Sequence, residues 1–315
     1  MRTIEIELVV KPPKDYRAVV TEKLHQERLS IFDPAKRYLD GLASLLATLP
    51  PAPTLVTKLL AIFREPDRDV DQVVQLISCE PSLTAQILRI CNSAYFATEQ
   101  PPGDIFEAVS RVGFYRVYCL VVSLFGAQTK SMAGVDKGVD VEVLWRHSVA
   151  AAVSTSEVAH EAGLTKPVAF TAGLLHDIGK LVLASAERKA YALLIRRAQD
   201  EGVMLSTLER AAFKVDHAEL GGELMRRWNL PPEIVAAVRY HHELEAAPAY
   251  KPLTAAVQIG DTIAHQLFAD GMANTGPLAP TTAAWETLQL SPSELPRLLA
   301  KSQAELEQVK GMLEI

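Results

Sequence analysis

Cysteine is scarce. Cys79, Cys91 and Cys119 are the only three in 315 residues, and no two form a CxxC pair. That odd, scattered set excludes a disulfide framework and a thiolate zinc site. It fits buried free thiols in a reducing cytoplasm. Aromatic residues make up only 6%, while leucine, alanine and valine are frequent. This balance favours helices over sheets. No apolar run is long enough to span a bilayer. The longest, residues 117–127 (VYCLVVSLFGA), falls well short of the roughly 20 residues a spanning helix needs. No basic segment followed by an apolar stretch opens the sequence, so no secretion signal is expected. Positive charge is not in excess either. Lys and Arg number 32 against 38 Asp and Glu, a net charge of -6. General nucleic-acid binding, which needs a basic face, is therefore not expected, although a local basic groove stays open.

The chain does have apolar material, 49% of it. That is enough for one large core or two packed subdomains. Residues 3–10 alternate Ile4, Ile6 and Leu8 with Thr3, Glu5 and Glu7, a strand period. Almost everything later has helical period. Residues 49–53 (LPPAP) make a rigid break, and a helix is predicted over 54–64. Asp104 with Glu107 reads as a capping box ahead of Ile105, Ala108, Val109 and Val112. Residues 131–140 (SMAGVDKGVD) read as a polar connector. Helices are predicted at about 141–162, 166–178, 187–201, 217–228, 233–242 and 252–268. A long loop is expected over 270–292, then a last helix to about 312. The expected fold class is all-α. An extension covers 1–34, an N-terminal helical part 35–135, a second helical subdomain 136–270, and a loop with a C-terminal helix 271–315.

Three of the eight histidines, His25, His160 and His265, look ordinary. The other five fall on inward helix faces. His147 stands among Val143, Leu144, Ala150 and Ala151, its three- and four-residue neighbours. His217 shares a face with Leu220, Leu224 and Trp228, and His241 follows Ile234 and Val238, with His242 beside it. His176 directly precedes Asp177, and Asp261 shares a stripe with Val257, Ala264 and Phe268. Each alone also fits a hydrogen-bonded core position. His217 could merely cap a helix near Asp216, and Asp261 could accept a bond from a neighbouring helix. Together, several imidazoles and two carboxylates on apolar faces are costly to bury. A metal ion answers both needs, because it takes neutral His and ionised carboxylates. An all-N/O set suits one or two divalent ions, iron, manganese or zinc. Two ions bridged by a carboxylate could activate a water against a phosphate ester. Arg146, Lys180 and Arg239 are candidates to meet phosphate, though each also reads as a solvated surface charge.

Residues 171–183 (TAGLLHDIGKLVL) resemble the HD motif of the HD superfamily of metal-dependent phosphohydrolases. Residues 50–60 (PPAPTLVTKLL), 78–84 (SCEPSLT), 87–96 (ILRICNSAYF) and 217–231 (HAELGGELMRRWNLP), with His241-His242, resemble the HDOD module. The resemblance covers about residues 35–270 and implies a bacterial signalling or regulatory protein. The order of His147, His176-Asp177, His217, His241-His242 and Asp261 is similar to the ligand order of HD-GYP phosphodiesterases. Carried over, one ion would take His147, His176, Asp177 and Asp261. The second would take His217, His241 and His242, with Asp177 bridging and Lys180 facing a substrate phosphate. The Gly-Tyr-Pro loop of HD-GYP enzymes is replaced by residues 244–250 (LEAAPAY), which argues against cyclic-di-GMP hydrolysis. Three readings follow. One is a signalling scaffold with a protein partner or a small phosphate-containing ligand, its metal centre structural or sensing. Another is a metal-dependent phosphohydrolase acting on a nucleotide or other phosphate ester. The third is a purely structural helical protein with buried His.

Overall fold

The structure, a computed structural model, describes residues 54–65, 70–79, 84–85, 87–88, 104–129, 140–268 and 280–313. Among these, every regular element is helical and none is a strand. The strand expected within residues 3–10, the break at 49–53, Cys91 and nearly all of the 131–140 connector lie outside the described residues.

In the upstream half, α1 (Thr54–Arg64), α2 (Val70–Ser78) and α3 (Ile105–Val112) follow the helical periodicity of the sequence, and α4 (Phe114–Thr129) contains the longest apolar run. Asp104 caps α3 by accepting from the Glu107 N–H at 2.8 Å, and Ile105, Ala108, Val109 and Val112 are buried. Gly113 then takes φ +88, a conformation open to glycine, which separates α3 from α4. Cys119 is buried but Cys79 is exposed, so burial of all the thiols does not hold. Cys79 stands just past the end of α2, where its face turns away from the core.

The downstream half centres on α5 (Val141–Glu161), packed against α6 (Lys166–Leu175) and α12 (Lys251–Leu267). Asp140 starts α5 by accepting from the N–H groups of Glu142 at 3.0 Å and Val143 at 3.1 Å. Its middle is a run of small buried residues, Ala150, Ala151, Ala152, Ser154, Thr155 and Ser156. Small side chains let the neighbouring backbones come close. At Gly260 of α12 a Cβ would lie 2.6 Å from the Thr155 backbone nitrogen, so only glycine fits there. Around this trio run α7 (Ile178–Ala186), α8 (Arg188–Glu201), α9 (Leu205–Phe213), α10 (His217–Arg227) and α11 (Pro232–Tyr240). After α12 come α13 (Thr282–Leu288) and α14 (Leu295–Leu313). The halves meet where α4 packs on α6, with Tyr115 donating to Ser156 Oγ at 2.8 Å and Tyr118 bonded to Thr171.

Two expectations are corrected and one helix is added. The helix predicted over 166–178 ends at Leu175, and a new one starts at Ile178. The apolar pattern runs through this break, so periodicity could not show it. The segment 205–213 is also a helix. The loop expected over 270–292 contains α13, whose Ala284, Trp285 and Leu288 are buried against α12. Tertiary burial overrides the polar, Pro-rich flanks there. The one stretch long and apolar enough to cross a membrane among the described residues, Lys166–Ala186, is 94% buried inside the protein.

Candidate metal centre

The break between α6 and α7 builds the centre of the site. His176 keeps helical dihedrals, but Asp177 leaves them at φ -98, ψ 7. Two adjacent side chains thereby reach one locus instead of diverging by a helical turn step. Gly179 follows, packed so tightly on the His217 backbone that a Cβ would lie 2.8 Å from its carbonyl carbon. That close approach brings the start of α10 against Asp177. Asp216 caps α10 by accepting from the Glu219 N–H at 2.8 Å, so His217 is not needed as a cap and its ring turns inward. His241 and His242 follow the last turn of α11. Gln258 of α12 holds that corner by donating to the His241 carbonyl at 3.2 Å.

The structure brings all seven side chains singled out as metal ligands into one locus. His147 Nε2 lies 2.9 Å from Asp261 Oδ1 and 3.7 Å from Asp177 Oδ2. His176 Nε2 lies 3.3 Å from Asp177 Oδ2 and 3.5 Å from Asp261 Oδ1. On the other side, His217 Nε2 lies 3.3 Å from Asp177 Oδ1 and 2.9 Å from His242 Nε2. His241 stands beside both, its ring centroid 3.9 Å from that of His242 and 5.5 Å from that of His217. The two oxygens of Asp177 thus face two separate groups. Ligand atoms of His147, His176 and Asp177 come within 4.8 Å of one another, as do those of His217, His241 and His242. Lys180, the other charged group, places Nζ 2.6 Å from Asp177 Oδ2. Arg146 pairs instead with Glu142 at 3.4 Å and Arg239 lies over the Tyr240 ring.

Several rings are held so that Nε2 is the nitrogen turned towards the shared centre. His176 Nδ1 donates to the Gly173 carbonyl at 2.7 Å, and His241 Nδ1 to the Val238 carbonyl at 2.7 Å. His217 Nδ1 donates to Glu209 Oε2 at 2.6 Å, and the His217 backbone N–H meets the same oxygen at 2.9 Å. Tyr191 donates to the other Glu209 oxygen at 2.6 Å. A partner on the far nitrogen fixes tautomer and orientation, as in metal-bound histidines. Glu209 and Tyr191 escaped the sequence reading. Glu209 stands eight residues before His217, and only the turn between α9 and α10 makes them neighbours. His265, set aside as ordinary, also joins, with Nε2 3.5 Å from Asp261 Oδ1. Its signal was readable: it stands four residues after Asp261, on the same helix face.

The donor set fits a cation. His147 Nδ1 and Nε2, His176 Nε2, Asp177 Oδ1, His241 Nε2, His242 Nδ1 and Asp261 Oδ1 are buried without a hydrogen-bond partner. Leaving such an atom unsatisfied costs about 1–3 kcal/mol. Since each ring offers one nitrogen to an ion, six of them could be met by cations, and leaving six unmet would consume a stability of about 5–15 kcal/mol typical of a whole domain. Without an ion the site compensates by binding protons. Burial pushes His176 and His217 down, but neighbouring carboxylates outweigh it. Asp177 and Asp261 raise His176 to about 10, and Glu209 and Asp177 raise His217 to about 9. Burial also pushes the carboxyl groups up. His176 and Lys180 nevertheless hold Asp177 well below the usual range, and His265 with His147 does so for Asp261. Burial and the charge of its neighbours take His241 down to about 3.

The HDOD domain profile matches residues 49–244, well over half of the chain. The chain belongs to the HDOD domain family. An uncharacterized Treponema pallidum protein is 31% identical over 221 residues, which are 68% of this HDOD chain but only 42% of that relative. The chain therefore spans less than half the length of this relative. Among solved structures, an HDOD domain protein of unknown function from Geobacter sulfurreducens superposes with a TM-score of 0.68. It is 22% identical, with 95% of this chain and 98% of that one covered. A Shewanella amazonensis SB2B protein, provisionally named a phosphohydrolase, gives a TM-score of 0.62 at 26% identity, with 86% and 98% covered.

Proposed function

We propose that this HDOD protein is a bacterial signalling or regulatory module whose HD half holds two divalent ions, and that the centre is structural or sensing. The supporting observation is Asp177, whose two oxygens face separate groups of buried imidazoles. His147, His176, Asp177 and Asp261 would hold one ion; His217, His241 and His242 would hold the other, with Asp177 shared. Iron, manganese and zinc all suit such ligands. Enclosure favours a held ion over an open catalytic one, since His147, His176, Asp177, His217, His241 and Asp261 are each at most 3% exposed. The proposed partner is a signalling protein or a small phosphate-containing ligand.

The second reading is a phosphohydrolase acting on a nucleotide or other phosphate ester. The full ligand set and the buried Lys180 favour it, as does the name of the Shewanella relative. Bound ions would supply Lewis acidity and a water of lowered pKa. Lys180 would then orient Asp177 and carry positive charge toward a phosphate.

The test is metal per chain in protein purified without added metal, for wild type, Asp177→Ala and His160→Ala. His160 lies on the exposed end of α5. Wild type and His160→Ala should carry equal metal. Asp177→Ala should lose at least one ion, because two dications then face each other without the shared carboxylate. Equal metal in all three removes Asp177 from the centre. Turnover of a phosphodiester panel by the loaded wild type selects the second reading over the first.

A further inference from the structure

We infer that His265 is a ligand of the ion held by His147, His176, Asp177 and Asp261, so that this sphere contains three imidazoles. The inference rests on the metal reading above and extends it to a residue outside the set carried over by resemblance. Three imidazole Nε2 atoms converge on Asp261 Oδ1: His147 at 2.9 Å, His176 at 3.5 Å and His265 at 3.5 Å. Despite this crowding, Asp261 Oδ1 has no partner at hydrogen-bonding geometry, and neither has His147 Nε2 or His176 Nε2. Converging atoms that do not bond one another are what a coordination sphere leaves between its ligands. Around an ion with metal–nitrogen bonds of roughly 2.0–2.1 Å, neighbouring ligand atoms lie about 3.0 Å apart in an octahedron and about 3.4 Å apart in a tetrahedron. The observed separations, 2.9 to 3.5 Å, lie within about 0.1 Å of those two values.

His265 is also placed to be a ligand by its helix. It follows Asp261 by one turn of α12, so both side chains leave the same face. Ligand atoms of His147, Asp261 and His265 lie within 4.8 Å of one another. The His265 ring centroid is 4.5 Å from that of His147, and the side chain is only 11% exposed. A surface histidine making a screened ion pair would not be packed between a buried imidazole and a buried carboxylate.

The rival role is a hydrogen bond: His265 could simply donate to Asp261 and steady it. His265→Gln separates the two, because the amide nitrogen still donates over a similar reach but is a poor substitute for an imidazole ligand. The experiment measures metal per chain and the Kd for zinc, with Co(II) absorption as a report on the ligand field. Wild type, His265→Ala, His265→Gln and Asp177→Ala are compared, with thermal melts of the metal-free proteins to confirm folding. Both His265 variants should bind the ion held by His147, His176, Asp177 and Asp261 at least roughly tenfold more weakly and change the Co(II) spectrum in the same way. Wild-type affinity and spectrum in His265→Gln would overturn the inference in favour of the hydrogen bond. Wild-type behaviour in both His265 variants, with metal lost in Asp177→Ala, overturns the inference and leaves the metal centre standing. A wild type that binds no metal overturns both.

Discussion

At the scale of single residues, Glu209 governs His217. One of its oxygens takes both the ring Nδ1–H and the backbone N–H of His217, and the other takes the Tyr191 hydroxyl. The carboxylate is fully buried, so its charge acts at close to full strength on the imidazole. Glu209→Gln keeps the shape and an acceptor but removes the charge. It should leave the fold intact and weaken the ion held by His217, His241 and His242 by roughly ten- to a hundredfold. A metal titration with an unchanged Kd would show that Glu209 only fills space. The contrast with His217 shows what was legible. His217 could be read from its own helix face, as could His147, His241 and Asp261. Glu209 could not, because its meaning depends on a partner across a turn that no periodicity reports. His265 was legible from its spacing to Asp261, one helical turn away.

At the scale of elements, the site depends on how closely α12 approaches α5. Gly260 permits that approach, and the next residue along α12 is Asp261, a proposed ligand. Gly260→Ala adds one methyl where the Thr155 nitrogen would be 2.6 Å away. The helices must part, with overpacking costs typically of about 1–3 kcal/mol. The same displacement carries Asp261 away from His147, so stability and metal binding should fall together. A thermal melt and a metal titration on one preparation check this, and a loss of stability with unchanged metal affinity would uncouple the two. Helix number and type were readable from sequence over most of the described chain, since capping residues such as Asp104, Asp140 and Asp216 stand where the structure uses them. Three features were not, helix α9 (Leu205–Phe213) among them. The α6–α7 break hides in a continuous apolar run because both helices are buried. Helix α13 hides because Thr281 caps it and is itself held by Gln258 from another element.

At the scale of the whole molecule, the proposed ligands come from α5, the α6–α7 junction, α10, the end of α11 and α12, so occupancy and folding would be linked. The linkage has a definite pH signature. His176 and His217 are raised to about 10 and about 9 in the folded, metal-free protein. The stability they contribute is full below the unfolded value of about 6.5 and is lost as pH rises through 9 to 10. His241 and His265 are lowered to about 3 and about 4, burial being the main cause. The unfolded chain takes up their protons first, so stability also falls as pH drops from about 6.5 towards 4. Metal-free protein should therefore be most stable near roughly pH 6.5, losing stability progressively on either side. Ions need the Nε2 lone pairs, so loading at pH 7.5 should release about two protons, from His176 and His217. It should also abolish the alkaline loss, because the bound state no longer carries those protons. An ion present at about a thousand times its Kd adds about 4 kcal/mol to the folded state, visible as a higher Tm. Calorimetric titration in buffers of different ionisation enthalpy counts the protons, and melts from pH 5 to 10 with and without chelator trace the two curves. No proton release at pH 7.5, with ions demonstrably bound, would mean that His176 and His217 are already neutral. The carboxylate-rich environment described for them would then be wrong.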